Sequence, residues 1–473
     1  GSLTWGGYEA LADIVEVLEP ESDPRRYVWL FERAERLCVR GLVYQDEGFH
    51  ETLWGEREAA LSITMREGGQ SLRVLVDASH NAACIGECLA GLNSCPEKLI
   101  LSWFGDSSLN LRSAASSYVL HKARRDGASW VIGILEGNSL STENKCSFVA
   151  SLPCDEKILE LVSGLEFELR IAFFQYVNVF EIDMRQRGCV LDELLELGCV
   201  AQAVELLTLM LSVGDSPDVA NVFRALSMLL VVVERDRCIV FHDVVVELFS
   251  FLESVVPDHS DLPRFELLFS CHGYGVESLR ALYRYFGREP DCFAECVIAM
   301  GDTFHDERDD FEVQLRFNDI VRWWQIIPGL HVDGTVDFSF LMGWVETVHN
   351  RLMDYVSVEK SAQYVGYVLA SSPNGADGMW PAEAVRSVIE YMESSFVEEG
   401  VFIRCYNFDS RGTRSDYIGG AREWRLVNRY RQYSRRMSLR WPRTAALLAR
   451  LADEYEIEAR LEDMKAEENA DQD

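Results

Sequence analysis

The chain has 473 residues, of which 48% are apolar and 26% charged, and its formal net charge is −32. This composition is globular and not disordered. At roughly 100–200 residues per domain it fills two or three domains or one extended array. A field so negative excludes binding of nucleic acid or anionic membrane through the bulk surface, so any such contact needs a local basic patch.

Gly1-Ser2 resembles a cloning remnant, so the natural chain is expected to begin further upstream. No secretory leader is expected. The most apolar stretch, Ala220–Val233, holds fourteen residues, short of the roughly 20 that a membrane span needs, and no membrane association is expected. Thirteen scattered cysteines point to a reduced, cytoplasmic protein.

In chain order, the apolar residues recur at helical spacing from end to end. Val200, Val204, Leu207 and Leu211 share one predicted helix face, and Val244, Leu248, Phe251 and Val255 share another. No run of alternating residues with hairpin turns appears. Breaks fall at Gly68-Gly69, Gly105-Asp106, Gly127, Gly198, Asp215-Ser216-Pro217, Pro257, Gly287 and Pro290. Asp215-Ser216 before Pro217 is a helix start, because proline tolerates the first helical position. Further on come an acidic loop at 301–310, a Gly/Asp turn over Pro328–Asp337, and a break over Ser371–Trp380 carrying Pro373, Gly375 and Gly378. About two dozen helices with short links are predicted, and short links favour antiparallel neighbours. The expected fold is therefore all-α: an irregular α-solenoid of TPR- or HEAT-like helix pairs, or stacked helical bundles. A soft boundary near 305–315 divides it into a helical-repeat region, 1–307, and a C-terminal region, 308–473.

Several constellations invite chemistry. His80, Cys84 and Cys88 recur four residues apart, with Cys95 beyond. Zinc sites pair close ligands with others from elsewhere in the fold, but this segment is otherwise small and apolar, and the cysteines read as packing. Cys292 and Cys296 read the same way, and His331 with Asp333 reads as loop polarity. No metal or cofactor is expected. Phosphate-binding glycine loops, a His-Glu-x-x-His and a Gly-x-Ser-x-Gly are all missing from the sequence. Arg235 and Arg237 precede His242 with the Arg-x4–6-His spacing of all-α ribonucleases of the HEPN superfamily, where the histidine handles the proton and the arginine stabilises phosphate charge. A polar helix–helix turn gives the same residues. Trp323/Trp324, Trp344 and Tyr364/Tyr367 read as core.

The most distinctive stretch is 404–443, with eleven arginines, three acids and no lysine. It carries +8 and leaves −40 for the remainder. At about 100° per residue, Arg422, Arg425, Arg429, Arg436 and Arg440 form one stripe. Leu426, Tyr430, Tyr433, Met437 and Trp441 form the face beside it. Guanidinium forks suit phosphate and carboxylate alike. Three uses compete: internal pairing with the acidic last helix (Asp453, Glu454, Glu456, Glu458, Glu462, Asp463), an acidic protein partner, or nucleic-acid phosphates. Internal pairing is the expectation in so acidic a chain.

Several segments, in order, resemble one family. They include Tyr27-Val-Trp-Leu-Phe-Glu32, Ser117-Tyr-Val119 with Ser129-Trp-Val131, and Leu194-Leu-Glu-Leu-Gly198 with Ala203-Val-Glu-Leu-Leu207. Leu282-Tyr-Arg-Tyr285 with Cys292-Phe-Ala-Glu-Cys296, and Ile327-Pro-Gly329 with Asp333-Gly334, follow. Asp377-Gly-Met-Trp-Pro381 with Ala384-Val-Arg386, Gly419-Gly420-x-x-Glu423, and Trp441-Pro-Arg-Thr444 with Tyr455-x3-Ala459 complete the set. Together they look like the C-terminal helical region of large bacterial proteins. Gly198, Ala203 and Leu207 also resemble half of a tetratricopeptide repeat. Proteins of that architecture join an N-terminal effector or NTPase part to a helical-repeat sensor, and some serve in anti-phage defence. Near 404–412 the chain departs from the pattern: Phe408-Asp409-Ser410 separates Asn407 from Arg411-Gly412. No catalytic motif transfers. The resemblance therefore implies a non-catalytic binding, scaffold or sensor module with a protein partner, with a HEPN-like ribonuclease or a nucleic-acid-binding regulator as alternatives.

Overall fold

The computed structural model describes residues 23–137, 140–236, 242–272, 279–302, 320–321, 324–410 and 420–470. Helices dominate the described residues. Among the described residues the only strands are a two-residue hairpin, Cys38–Val39 against Leu42–Val43. The fold is all-α. It comprises two compact units, 1–225 and 226–473. The expected division at 307/308 falls inside the second, on residues outside those described.

In the first unit the helices run α1 (Phe49–Glu67), α2 (Gly69–Ala78), α3 (Ala82–Gly91), α4 (Glu97–Ser102), α5 (Leu109–Asp126), α6 (Ala128–Glu136), α7 (Thr142–Val149), α8 (Glu156–Ser163), α9 (Phe167–Phe174), α10 (Arg187–Leu197) and α11 (Val200–Ser212). Their ends follow the sequence. Ser108, Ser141 and Asp155 cap α5, α7 and α8 by accepting the N–H of Leu111, Asn144 and Ile158. Gly198, left-handed at φ +77°, stops α10. The buried face of α11 is Ala203, Val204, Leu206, Leu207 and Met210, so Val200 and Leu211 of the expected stripe sit at its margin.

Helix α12 (Val219–Asp236) crosses the boundary. The second unit continues with α13 (His242–Val255), α14 (Leu262–Cys271), α15 (Arg280–Arg288), α16 (Pro290–Asp302), α17 (Phe338–Leu352), α18 (Val358–Leu369), α19 (Glu383–Met392), α20 (Ser395–Ser410), α21 (Ala421–Met437) and α22 (Pro442–Ala470). On α13 the buried face is Val245, Leu248, Phe249 and Leu252, and Val255 is half exposed. Nearly every position from 244 to 252 is apolar, so spacing alone does not choose between adjacent faces.

Two cores organise this unit. In one, Phe286, Phe293, Trp324 and Trp344 meet ring to ring among α15, α16 and α17. In the other, Val427, Tyr430 and Met437 of α21 pack on Leu448, Leu451 and Tyr455 of α22. The predicted breaks at 328–337 and 371–380 are both loops.

Glu266 on α14 is 1% exposed and accepts the backbone N–H of Leu282 (2.6 Å) and Ala281 (3.4 Å) at the start of α15. Burial outweighs those bonds and pushes its carboxyl up to about 8. Below the unfolded value of about 4.3 the proton is held in both states. As pH climbs from there toward 8 the unfolded state ionises first, and stability is lost. Glu266→Gln keeps the acceptor without the proton. It is expected to melt above the parent at pH 8, with the gap closing toward pH 4. A gap of equal size at both pH values refutes this.

Candidate anion-binding site

The site is built on the loop between α18 and α19. Ser372 holds its two ends: its carbonyl accepts the indole N–H of Trp380 (2.9 Å) and its hydroxyl accepts the N–H of Ala382 (2.8 Å). Beneath it Arg386 is fully buried. Its guanidinium takes both carboxylate oxygens of Asp377 (2.7 and 2.9 Å) and the carbonyls of Pro381 (2.6 Å) and Met379 (2.7 Å). It also lies 4.9 Å from the Trp441 ring centre. Those hydrogen bonds hold the Asp377 carboxyl below the usual carboxylate range.

Helix α21 forms the next wall. Val427, Tyr430 and Met437 face inward, with Leu426 and Tyr433 packed at the margin. Arg422, Arg425, Arg429, Arg435 and Arg436 are exposed. The helix ends at Met437, so Arg440 lies on the turn that follows and not on the helix stripe. Its guanidinium sits 4.2 Å from the Trp441 ring centre. The anticipated internal pairing is made by Arg431, a residue outside the stripe, which bonds Glu456 and lies 3.5 Å from Asp453. Arg443 and Arg450 likewise pair with Glu398 and Glu399. Among the described residues, Arg425, Arg429, Arg435, Arg436 and Arg440 form no ion pair. The acidic helix α22 spends other carboxylates elsewhere. Glu458 accepts from the Tyr406 hydroxyl (2.6 Å), and Asp463 from the Gly420 N–H and the Trp424 indole (both 2.8 Å).

Between this helix, the loop and α20 lies a cavity of about 370 Å³. Two arginines line it, Arg404 and Arg429. Arg404 is buried and donates to the Trp324 carbonyl (3.1 Å). Arg429 is exposed and lies 5.2 Å from the Tyr430 ring centre. The rings of Trp380 and Tyr433 are half-buried at the wall, and Trp324 and Tyr430 form deeper parts of it. Among the described residues no carboxylate lines the cavity. Of the stripe, only Arg429 reaches it. Arg404 belongs to the arginine-rich stretch but lies on a different helix, which the 100° projection along one helix does not see.

Elsewhere the expected constellations disperse. Cys88 is buried and Cys84 half-buried on one helix, Cys95 meets the Tyr118 hydroxyl at 3.1 Å, and His80 is exposed. Among the described residues no group of three or more His, Cys, Asp or Glu converges on a metal position, and the twelve described cysteines are free thiols. His242 begins α13 beside Asp243, whereas Arg237 and the side chain of Arg235 lie outside the described residues, as do Trp323, Arg411, Arg414 and the acidic segment 303–310. Asp333 accepts from Thr335 within its own turn. No described helix is long and apolar enough to cross a membrane. No protein-family model, curated protein or solved structure matches the chain.

Proposed function

We propose that this chain is a non-catalytic helical binding or scaffold module whose C-terminal unit grips a short acidic segment of a protein partner. The observation that carries this reading is that Arg425, Arg429, Arg435, Arg436 and Arg440 form no ion pair among the described residues, in a chain of net charge −32. Neighbouring arginines satisfy themselves with the chain's own acids, so the unpaired row is not a shortage of partners nearby. Leaving like charges adjacent disfavours the isolated protein, and an external anion relieves it. Helix α21 spans only about 25 Å at 1.5 Å per residue. The basic stretch 404–443 is short and the rest of the chain carries −40, so a short acidic peptide suits the row better than a long phosphate backbone. A sensor role, as the family resemblance implies, is compatible with such a grip.

Charge reversal is the test. Arg425→Glu/Arg436→Glu/Arg440→Glu is expected to weaken binding of a fluorescent Asp/Glu-rich peptide by about tenfold or more at low salt. Parent binding should fall as salt rises. Equal affinity of parent and triple variant removes the arginine row from the reading.

A further inference from the structure

We propose that the cavity bounded by Arg404 and Arg429 is a binding site for a nucleoside monophosphate, either free or as the phosphorylated end of a single strand. This goes beyond the acidic-partner reading and shares with it only Arg429. Its volume, about 370 Å³, lies near the lower end of the range of roughly 300–1,000 Å³ for small-ligand sites. The charge is one-sided: two arginines and, among the described residues, no carboxylate, inside a chain with 77 acids and 45 bases. A guanidinium fork matches phosphate oxygens in both geometry and charge, and the exposed Arg429 presents one at the cavity.

The rest of the wall suits a flat ring. Trp380 and Tyr433 line the cavity only half-buried, and each is fixed by its polar tip. The Trp380 indole donates to the Ser372 carbonyl, and the Tyr433 hydroxyl donates to the Gly378 carbonyl at 3.2 Å. Held this way, the rings lose little freedom when a base stacks on them. The exposed amide of Asn374 lies on the same wall and offers both a donor and an acceptor to a base edge. An inorganic anion uses the arginines and ignores the rings. An uncharged aromatic does the reverse. A nucleotide uses both.

The experiment is calorimetric titration of the full chain with adenosine 5′-monophosphate, adenosine and inorganic phosphate. The monophosphate is expected to bind more tightly than either fragment. Arg429→Ala and Tyr433→Ala are each expected to weaken it by about tenfold or more. Arg435→Ala, exposed on the same helix but off the cavity, should leave it unchanged. Arg429 and Arg435 are both exposed, so loss of fold does not mimic the result, and circular dichroism checks this for Tyr433→Ala. A 5′-phosphorylated oligonucleotide that competes with the mononucleotide, and depends equally on Arg429, identifies a strand end as the source. Failure to compete identifies the free nucleotide. Absence of mononucleotide binding, binding indifferent to Arg429→Ala, or phosphate binding as tight as nucleotide overturns the proposal. The triple variant above spares every cavity residue, so loss of acidic-peptide binding and loss of nucleotide binding are separately visible.

Discussion

Asp377→Ala is expected to destabilise the second unit by about 3–5 kcal/mol, and Arg386→Ala by an amount near the lower end of that range. The two halves of the pair are not equivalent. The Arg386 side chain is fully buried, whereas Asp377 keeps 24% of its side-chain surface. Removing the acid leaves a buried guanidinium without a counter-charge, held by the carbonyls of Pro381 and Met379 and by the Trp441 ring. Removing the arginine leaves a carboxylate that water reaches, along with two carbonyls that lose their donor and a Trp441 ring that loses the cation above it. Replacing a buried pair by apolar groups is often tolerated, but breaking one member is not. Urea unfolding followed by tryptophan fluorescence measures both variants. Equal small losses, within about 1 kcal/mol of the parent, refute the ranking.

The pH dependence provides an independent check. Because Arg386 holds the Asp377 carboxyl below its ordinary value, the pair's contribution is present above the unfolded value of about 3.9. It is lost as pH falls through the lower folded value. The gap between parent and Asp377→Asn should therefore be full at pH 7 and shrink under strongly acid conditions. The same pair sets the loop that walls the cavity, so both substitutions are also expected to weaken ligand binding there without touching a ligand.

The all-α class is readable because period and punctuation agree. Helical spacing runs throughout, and residues such as Ser108, Asp155 and Gly198 sit where caps and stops are needed. The loop at 371–380 is equally visible through Pro373, Gly375 and Gly378. Four stripe arginines of α21, Arg422, Arg425, Arg429 and Arg436, are exposed as their angular position implies, and Arg435 is exposed outside the stripe. What the sequence hides is anything decided by a second element. Arg431 pairs with Glu456 because α22 passes on that side, and nothing in 421–437 says so. Arg404 joins Arg429 in one cavity only because α20 and α21 converge. Nothing around Arg386 in the sequence marks it as buried, yet the loop folds over it and buries it completely.

Close helix approach is another such hidden feature, and it yields the second large effect. Gly366→Ala and Gly400→Ala are each expected to cost about 1–3 kcal/mol or more, as overpacking against rigid neighbours does. Helices α18 and α20 meet backbone to backbone at these glycines. A Cβ on Gly366 would stand 2.3 Å from the Val397 carbonyl oxygen and 2.8 Å from the Gly400 Cα. One on Gly400 would stand 2.3 Å from the Gln363 carbonyl oxygen. Neither obstacle is a side chain that swings aside, so the helices must part. Alanine's better helix propensity returns only about 1 kcal/mol, too little to reverse the sign. Gly343 on α17 is the control: a Cβ there would have nothing within 4 Å, and Gly343→Ala should stabilise by roughly 0.5–1 kcal/mol. Opposite shifts in the denaturation midpoint for the two kinds of glycine are the expected result, and a stabilised Gly366→Ala contradicts it. Because α18 leads into Ser371 and Ser372 and α20 carries Arg404, parting these helices also spreads the cavity walls. Nucleotide affinity should therefore fall in Gly366→Ala and hold in Gly343→Ala.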